Sequence, residues 1–161
     1  DSQGIGEMEF EKKRGINSFE IRTGLSRALV SGLKEPVAES RLEILKKLKE
    51  SDISIDFLKI SLTSMSFVVS EDCHDKLKSV FETMGLEFEL VPNRSVLIVY
   101  AVNIQDEEGL VGRVVSEAVA SGEEVDQIAD MHDRLLIVTS AESAERLAKH
   151  IQSQIPEEVI A

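Results

Sequence analysis

The sequence has few aromatic residues, one cysteine and no long apolar run. Its 161 residues include no tryptophan, one tyrosine and six phenylalanines, so the core must be built mainly from aliphatic side chains. The single cysteine, Cys73, rules out an intramolecular disulfide, which is typical of a reducing compartment, and we expect a cytoplasmic protein. No apolar run approaches the roughly 20 residues that a membrane-spanning helix needs, so no membrane partner is expected.

Positive charge is also scarce. The chain has 18 Lys and Arg against 30 Asp and Glu, which gives a formal net charge of −12. Because nucleic-acid binding depends on clustered basic side chains, we expect no nucleic-acid partner, and we attribute the acidity to solubility. The fractions of hydrophobic and charged residues, 42% and 30%, are those of an ordinary globular chain of one domain or two small ones.

The motifs of common active sites are missing. The sequence contains neither G-x-x-x-x-G-K-[ST] nor G-x-G-x-x-G, so no phosphate-binding loop is expected. Cys73 and His74 are adjacent, which is the wrong spacing for two metal ligands on one helix face. Residues 130–133 are acidic with one histidine, and we interpret them as a solvated hairpin tip. We therefore predict no catalytic residue, no metal site and no cofactor.

Hydrophobic periodicity predicts an α+β fold. After an N-terminal tail, residues 1–13, strands are expected at residues 15–22 and 26–33. A helix beginning at Pro36 carries an apolar face, and strands at 53–60 and 65–70 follow it. A helix ending at Gly85 and a strand closed by Pro92 and Asn93 complete the order βαββαβ, which is the ferredoxin-like unit. The apolar face of the first helix is predicted to comprise Ala38, Leu42, Ile44, Leu45 and Leu48.

The same order then begins again. Strands are predicted at residues 96–102, 125–131 and 134–140, with helices at 107–121 and from Ala141 onward. A shift of 70 residues aligns Ser70 with Ser140, Leu77 with Leu147, Phe81 with Ile151 and Ile55 with Val125, which indicates an internal repeat. The second copy lacks its fourth strand, whereas the first copy is preceded by a surplus strand.

We therefore predict two interleaved ferredoxin-like units with antiparallel sheets and helices on one face. Residues 25–92 form the first unit. Residues 14–24 together with 93–161 form the second, and the early strand completes its sheet, because an uncovered sheet edge is unfavourable.

The polar corner 51–56 and the Ser/Thr-rich stretch 61–67 carry a family resemblance. A helix running into Ile53-Ser54-Ile55-Asp56 and on through this stretch resembles the regulatory ACT-domain pair of aspartokinases. The resemblance spans residues 14–155 and does not include a kinase domain. It implies an allosteric module that binds an amino-acid effector, with Lys or Thr expected. It also implies a homodimer joined through ACT sheets, with a kinase domain or subunit as a further partner.

The resemblance also implies where the effector sits, between the turn into a first helix and the start of the following strand. A helix N-terminus offers free N–H groups to a carboxylate, and a nearby acid holds an ammonium group. The residues implied in the first unit are Lys34, Glu35, Pro36, Val37 and Ala38 in the turn, with Ser54, Ile55, Asp56 and Ser64 opposite. Those implied in the second unit are Asn103, Gln105, Asp106 and Gly109, facing Asp126 and Gln127.

Two departures from the family turn leave an alternative open. The family turn usually reads Asp-Lys-Pro-Gly, where the glycine lets backbone approach the ligand. The first unit has Val37 in place of that glycine, and the second keeps Gly109 without a proline before it. The alternative hypothesis is therefore a ligand-silent ACT-type module that dimerises or scaffolds a partner enzyme.

Overall fold

The computed structural model describes residues 12–102, 109–131, 133–155 and 158–160. Within these ranges the chain forms strands and helices in the alternating order expected from the sequence. The strands are β1 (Lys12–Ser31), β2 (Asp56–Ile60), β3 (Met65–Ser70), β4 (Glu87–Val102), β5 (Val125–Asp130), β6 (Arg134–Ser140) and β7 (Glu158–Ile160), and the helices are α1 (Val37–Glu50), α2 (His74–Thr83), α3 (Leu110–Ala120) and α4 (Ala144–Gln154).

The chain divides into two compact units. The inserted unit is Thr23–Arg94, and the flanking unit combines the residues up to Arg22 with those from Ser95 onward. These boundaries lie two residues outside the predicted 25–92, in the middle of β1 and β4, where no turn marks them.

Two predicted turns are wrong, because β1 and β4 are each continuous where the sequence indicated two strands. Gly24 at φ +71° and Asn93 at φ +58° take left-handed conformations without ending the strand. The beginning of β1 at Lys12 also lies inside the stretch predicted as a tail; the remainder of that stretch, residues 1–11, lies outside the described residues.

The inserted unit has the strand order β2-β3-β1-β4. Strand β3 pairs antiparallel with both β1 and β2, and α1 and α2 contribute to one apolar core with the sheet. Phe67 and Phe81 are buried in that core, and the half-buried Phe88 packs against it. The ring centroids of Phe67 and Phe81 are 6.3 Å apart in an edge-on geometry, and those of Phe81 and Phe88 are 5.1 Å apart in a tilted geometry. Such aromatic pairs add about 0.5–1.5 kcal/mol beyond the area that they bury.

The flanking unit has the strand order β1-β4-β6-β5, with α3 and α4 contributing to its core. The N-terminal part of β1 thus takes the place of the missing fourth strand. Strand β7 was not predicted, and it pairs antiparallel with β1 so that Lys12 lies opposite Ile160. The repeat is confirmed in burial as well as in order: Leu77 and Leu147 are both fully buried, as are Phe81 and Ile151. The α+β class with two interleaved ferredoxin-like units is therefore confirmed.

The predicted apolar face of α1 is partly wrong. Ile44 and Leu48 are buried in the core, but Leu42 is 66% exposed and Ala38 is also exposed. Successive residues of an α-helix are rotated by about 100°, so Leu42 and Ile44 project from nearly opposite sides. Leu42 is consequently a large apolar side chain left on the surface, and its position becomes relevant below.

Candidate functional site

The turn between β1 and α1 carries the first half of the predicted site, which we call the turn half-site: residues 33–38 with Ser64. Lys34, Glu35, Pro36 and Ala38 are exposed, and Val37 is half-buried. The carbonyl of Lys34 accepts a hydrogen bond from Ser40 Oγ at 2.7 Å. Pro36 directly precedes α1, and no side chain caps this helix N-terminus. The first N–H groups of α1 are therefore available to an anion.

This turn is fixed to the β2–β3 turn. The N–H of Leu33 donates to the carbonyl of Thr63 at 3.0 Å. The guanidinium of Arg41, on α1, donates to the carbonyls of Ser61, Leu62 (3.1 Å) and Ser64 (3.4 Å). A planar group with several donors is suited to such multiple contacts. The structure therefore places Ser64 beside the turn.

The start of β2 carries the other half, which we call the strand half-site: Lys49 and residues 52–56. A cavity of about 270 Å³ opens here, lined by Lys49, Asp52, Ser54, Ile55 and neighbouring apolar side chains. Ser54 and Asp56 are exposed, whereas Ile55 packs partly against the core. An ammonium group, a carboxylate and a hydroxyl thus surround one small cavity with apolar walls.

Asp52 holds an unusual backbone conformation in this cavity. It follows the end of α1, where its N–H donates to Lys49 and that of Ile53 donates to Leu48, so that the two bonds form a Schellman motif. Asp52 has φ +59°, a left-handed conformation that glycine usually adopts at this position. Strained residues of this kind are often retained at functional sites.

The two half-sites lie far apart within one chain. The turn half-site is at the N-terminus of α1 and the strand half-site is at its C-terminus. With 14 residues, α1 is about 21 Å long at 1.5 Å per residue. The register of β2 agrees, because Ile60 lies opposite Met65 while Asp56 lies opposite Val68. A single amino acid therefore does not contact both half-sites of the same chain.

The flanking unit repeats part of this arrangement. Gly109 is exposed at φ +86° immediately before α3. Asp126 and Gln127 are half-buried at the start of β5, where the register with β6 shifts between Val125 and Gln127. The inserted unit has its own register shift at the same place, between Asp56 and Lys59. The predicted residues Asn103, Gln105 and Asp106 lie outside the described residues.

An ion pair stabilises the approach to β5. Arg146 of α4 donates to both carboxylate oxygens of Glu123, at 3.0 Å and 2.9 Å. This bidentate contact, together with a hydrogen bond from Ser143, lowers the pKa of Glu123 below its usual value. Thr139 donates its hydroxyl to the carbonyl of Glu124 beside it. The segment that leads into Asp126 is thereby held in place by α4 and β6.

Sequence reasoning missed three residues at these sites: Arg41, Lys49 and Asp52. Asp52 had a signal in the sequence, since an Asp just after the last Lys of a helix indicates a left-handed helix end. Lys49 and Arg41 had none, because each is one of several basic residues on an amphipathic helix. Their roles depend on which turn each side chain reaches.

Among the described residues no three or more His, Cys, Asp or Glu side chains are grouped so that they could hold a metal ion. None of the described helices combines the length and apolar character needed to cross a membrane.

Comparison with solved structures identifies the fold. The ligand-free regulatory subunit of aspartate kinase from Thermus thermophilus matches with a TM-score of 0.73 and 16% identity, over 87% of this chain and 97% of that one. The fold is that of the aspartate kinase regulatory region. No protein-family model matches the sequence, and no curated protein sequence matches it significantly.

Longer aspartate kinases contain the same fold as one part. The enzyme from Clostridium acetobutylicum matches with a TM-score of 0.76 and 13% identity, over 86% of this chain and 34% of that one. E. coli aspartokinase III, solved in complex with lysine and aspartate in its T state, gives 0.69 and 13%, over 88% and 33%. This chain therefore spans about a third of those enzymes and nearly all of the Thermus regulatory subunit.

Proposed function

We propose that this chain is an amino-acid-binding allosteric module like the regulatory ACT pair of aspartate kinase, with Lys or Thr as the expected effector. The cavity of the strand half-site is the observation that carries the proposal. Lys49 supplies a cation for the α-carboxylate, and Asp52 supplies an anion for the α-ammonium. Ser54 adds a hydroxyl, and Leu45 and Ile55 line the apolar wall. These groups complement an α-amino acid as a class.

The effector site is completed by a second copy of the chain. Strand β2 is at the end of the strand order of the inserted unit. If two copies pair their β2 strands antiparallel about a two-fold axis, Asp56 of one lies beside Ile60 of the other. The β1–α1 turn is bonded to the β2–β3 turn just beyond Ile60, through Leu33 and Thr63. Such pairing therefore brings the turn half-site of one copy to the strand half-site of the other, and does so twice.

The surface of β2 supports this arrangement. Leu58 is 43% exposed, Ile60 is 54% exposed and Leu62, at the following turn, is 92% exposed. Leu42 on α1 adds a fourth exposed apolar side chain to the same unit. An exposed apolar edge strand is a site for pairing with another strand, and burial of these side chains at a dimer interface removes them from water.

Allosteric regulation follows from differential affinity. An effector held between two copies stabilises the arrangement that closes both half-sites over the one that does not. E. coli aspartokinase III has been solved in an R state with aspartate and ADP and in a T state with lysine and aspartate. We propose the equivalent role for this chain, which would act on a kinase domain or subunit and have no catalytic activity of its own. Kinase activity measured from this chain alone would contradict that part.

The test is thermal unfolding of the full chain with each of the twenty amino acids at millimolar concentration. A ligand at 100 times its dissociation constant stabilises the native state by about 2.7 kcal/mol. We expect a selective rise with Lys, Thr or a close relative, and we expect Asp52→Asn to abolish it. Glu50→Gln is the matched control, since Glu50 is exposed nearby and does not line the cavity.

The alternative function, a ligand-silent dimerisation or scaffold module, has its own supporting observation. The turn half-site lacks the family glycine, and Val37 occupies its place. Unchanged unfolding with all twenty amino acids, combined with a dimer in sedimentation velocity, would favour this alternative. A monomer under the same conditions would contradict the shared site.

A further inference from the structure

A second cavity in the inserted unit lies on the other side of the β1–α1 turn. It measures about 250 Å³ and is enclosed by the end of β1, by α1 and by the turn from α2 into β4. Ile44, Met84 and Leu86 provide apolar walls. None of the residues of the strand half-site lines it, so it is separate from that half-site. It shares Leu33 and Lys34 with the turn half-site.

Three charged side chains surround this cavity: Lys34, Glu43 and Glu87. They come from three different elements, the β1–α1 turn, α1 and the start of β4. Within the described residues none of the three side chains makes a hydrogen bond or ion pair with another protein group. Two carboxylates against one ammonium give the cavity a net negative charge.

The position of Glu87 depends on a glycine. Gly32 has φ +60°, and a Cβ atom built on it would lie 2.6 Å from Glu87 Oε1. A larger residue at this position would be strained in its backbone, and the end of the flexible Glu87 side chain would have to shift. The Glu87 carboxylate therefore lies against the backbone of Gly32 at the edge of the cavity.

We propose that this cavity binds a small organic cation with an aliphatic stem, with its primary ammonium group between Glu43 and Glu87. Charge-assisted hydrogen bonds from the ammonium satisfy the two carboxylates, and the methylene stem packs on Ile44, Met84 and Leu86. A diamine and a basic amino acid share this chemistry. A basic amino acid additionally places its carboxylate within the field of Lys34. The proposal rests on this cavity alone and does not depend on the effector site.

The experiment is calorimetric titration of the full-length Asp52→Asn variant, in which the proposed effector site is removed, with cadaverine, lysine and norleucine. We expect cadaverine and lysine to bind, and norleucine, which has the stem without the terminal ammonium, to bind at least tenfold more weakly. Tighter binding of lysine than of cadaverine assigns the site to basic amino acids, and the reverse assigns it to diamines. Binding should weaken with added salt.

Variants locate the site. Glu43→Gln and Glu87→Gln are each expected to weaken cadaverine binding at least fivefold, and Gly32→Ala is expected to do the same while the chain remains folded by circular dichroism. Glu39→Gln, on the first turn of α1 and outside the cavity, is the control and should bind normally. Asp52→Asn should also leave cadaverine binding unchanged, which separates this site from the effector site. No cadaverine binding at millimolar concentration, or binding by both glutamine variants as tight as that of the parent, would overturn the proposal.

Discussion

The inserted and flanking units share one order of elements but differ in the strand that follows their first helix. In the inserted unit this strand is β2, whose residues are exposed except for the half-buried Phe57. In the flanking unit it is β5, whose residues are half-buried except for the exposed Asp130. The cores are alike, since helix-facing positions such as Leu77 and Leu147 are equally buried. The two units therefore share their buried core positions. They differ in the exposure of the strand that follows the first helix.

The helix ends differ in the same way. In the flanking unit α3 is followed by Gly122 at φ +76°, and within the inserted unit α2 is followed by Gly85 at φ +66°. After α1 the equivalent residue is Asp52, which adopts φ +59° despite its side chain. The inserted unit therefore accepts backbone strain at the residue that also lines its cavity, and the flanking unit does not. This contrast is one reason why we propose ligand binding in the inserted unit first.

The largest expected effect concerns the buried core positions that the two units share. Leu77→Ala and Leu147→Ala each remove a fully buried side chain and leave a cavity, and each should lower the free energy of unfolding by about 2–5 kcal/mol. Urea denaturation followed by circular dichroism measures both. Val119→Ala, at a position of α3 that is 68% exposed, is the control and should change stability by less than about 0.5 kcal/mol. Losses that differ strongly between the two core variants would break the equivalence of the units.

The next largest effect concerns strand β2, whose exposure distinguishes the inserted unit from the flanking unit. Ile60→Lys places a charge on the exposed edge of β2, twice in the proposed dimer, and should weaken dimerisation at least a hundredfold in sedimentation equilibrium. Val119→Lys, on α3 of the flanking unit, changes a side chain that is also exposed, at 68%, and should leave the dimer intact. Equal effects of the two variants would show that the β2 edge is not the interface.

A smaller effect tests the helix ends. Asp52→Gly relieves the left-handed backbone and should raise the free energy of unfolding by about 0.5–1 kcal/mol, while removing the stabilisation by the amino-acid effector. Gly122→Asp makes the opposite change in the flanking unit and should lower stability by about 1 kcal/mol. Thermal unfolding with and without the effector measures both quantities. A stabilised Asp52→Gly variant that still responds to the effector would remove Asp52 from the site.

Periodicity and internal repetition predicted the fold, and turn chemistry is where prediction failed. Strands β3 and β6 were predicted with their observed bounds, because each is a short, mostly apolar segment, and the structure buries nearly all of its residues. Thr23-Gly24 and Pro92-Asn93 were interpreted as turns, although both long strands continue through them. A left-handed residue is a turn signal in sequence, but it also fits a bulge or kink in a continuous strand.

The candidate site was predictable only in part. Its residues were inferred from a resemblance to a family. The structure places Ser64 beside the β1–α1 turn and Ser54 at the far end of α1. Helix length and strand register decide that separation, and neither is a property of a short motif. The exposure of Leu42 was unpredictable for a related reason, since a wide apolar stripe does not reveal which of its edges faces solvent.

The smallest expected effect concerns acid stability and belongs to the flanking unit. The pKa of Glu123 is lowered by Arg146 and Ser143, so this carboxylate stabilises the native state at pH values above its unfolded pKa, near 4.5, and loses that contribution as pH falls through the lower native value. The thermal midpoint of Glu123→Gln should therefore fall less than that of the parent between about pH 6 and pH 3. Glu145→Gln is the control, because Glu145 is 77% exposed and 3.9 Å from its partner Lys149.

The inserted unit has Ile53 and Lys76 at the positions 70 residues earlier, where no such pair can form. Acid should consequently weaken the ion pair that links α4 to the start of β5, whereas the start of β2 has no such ion pair to lose. If the thermal midpoints of Glu123→Gln and the parent fell equally with pH, this distinction between the units would be removed.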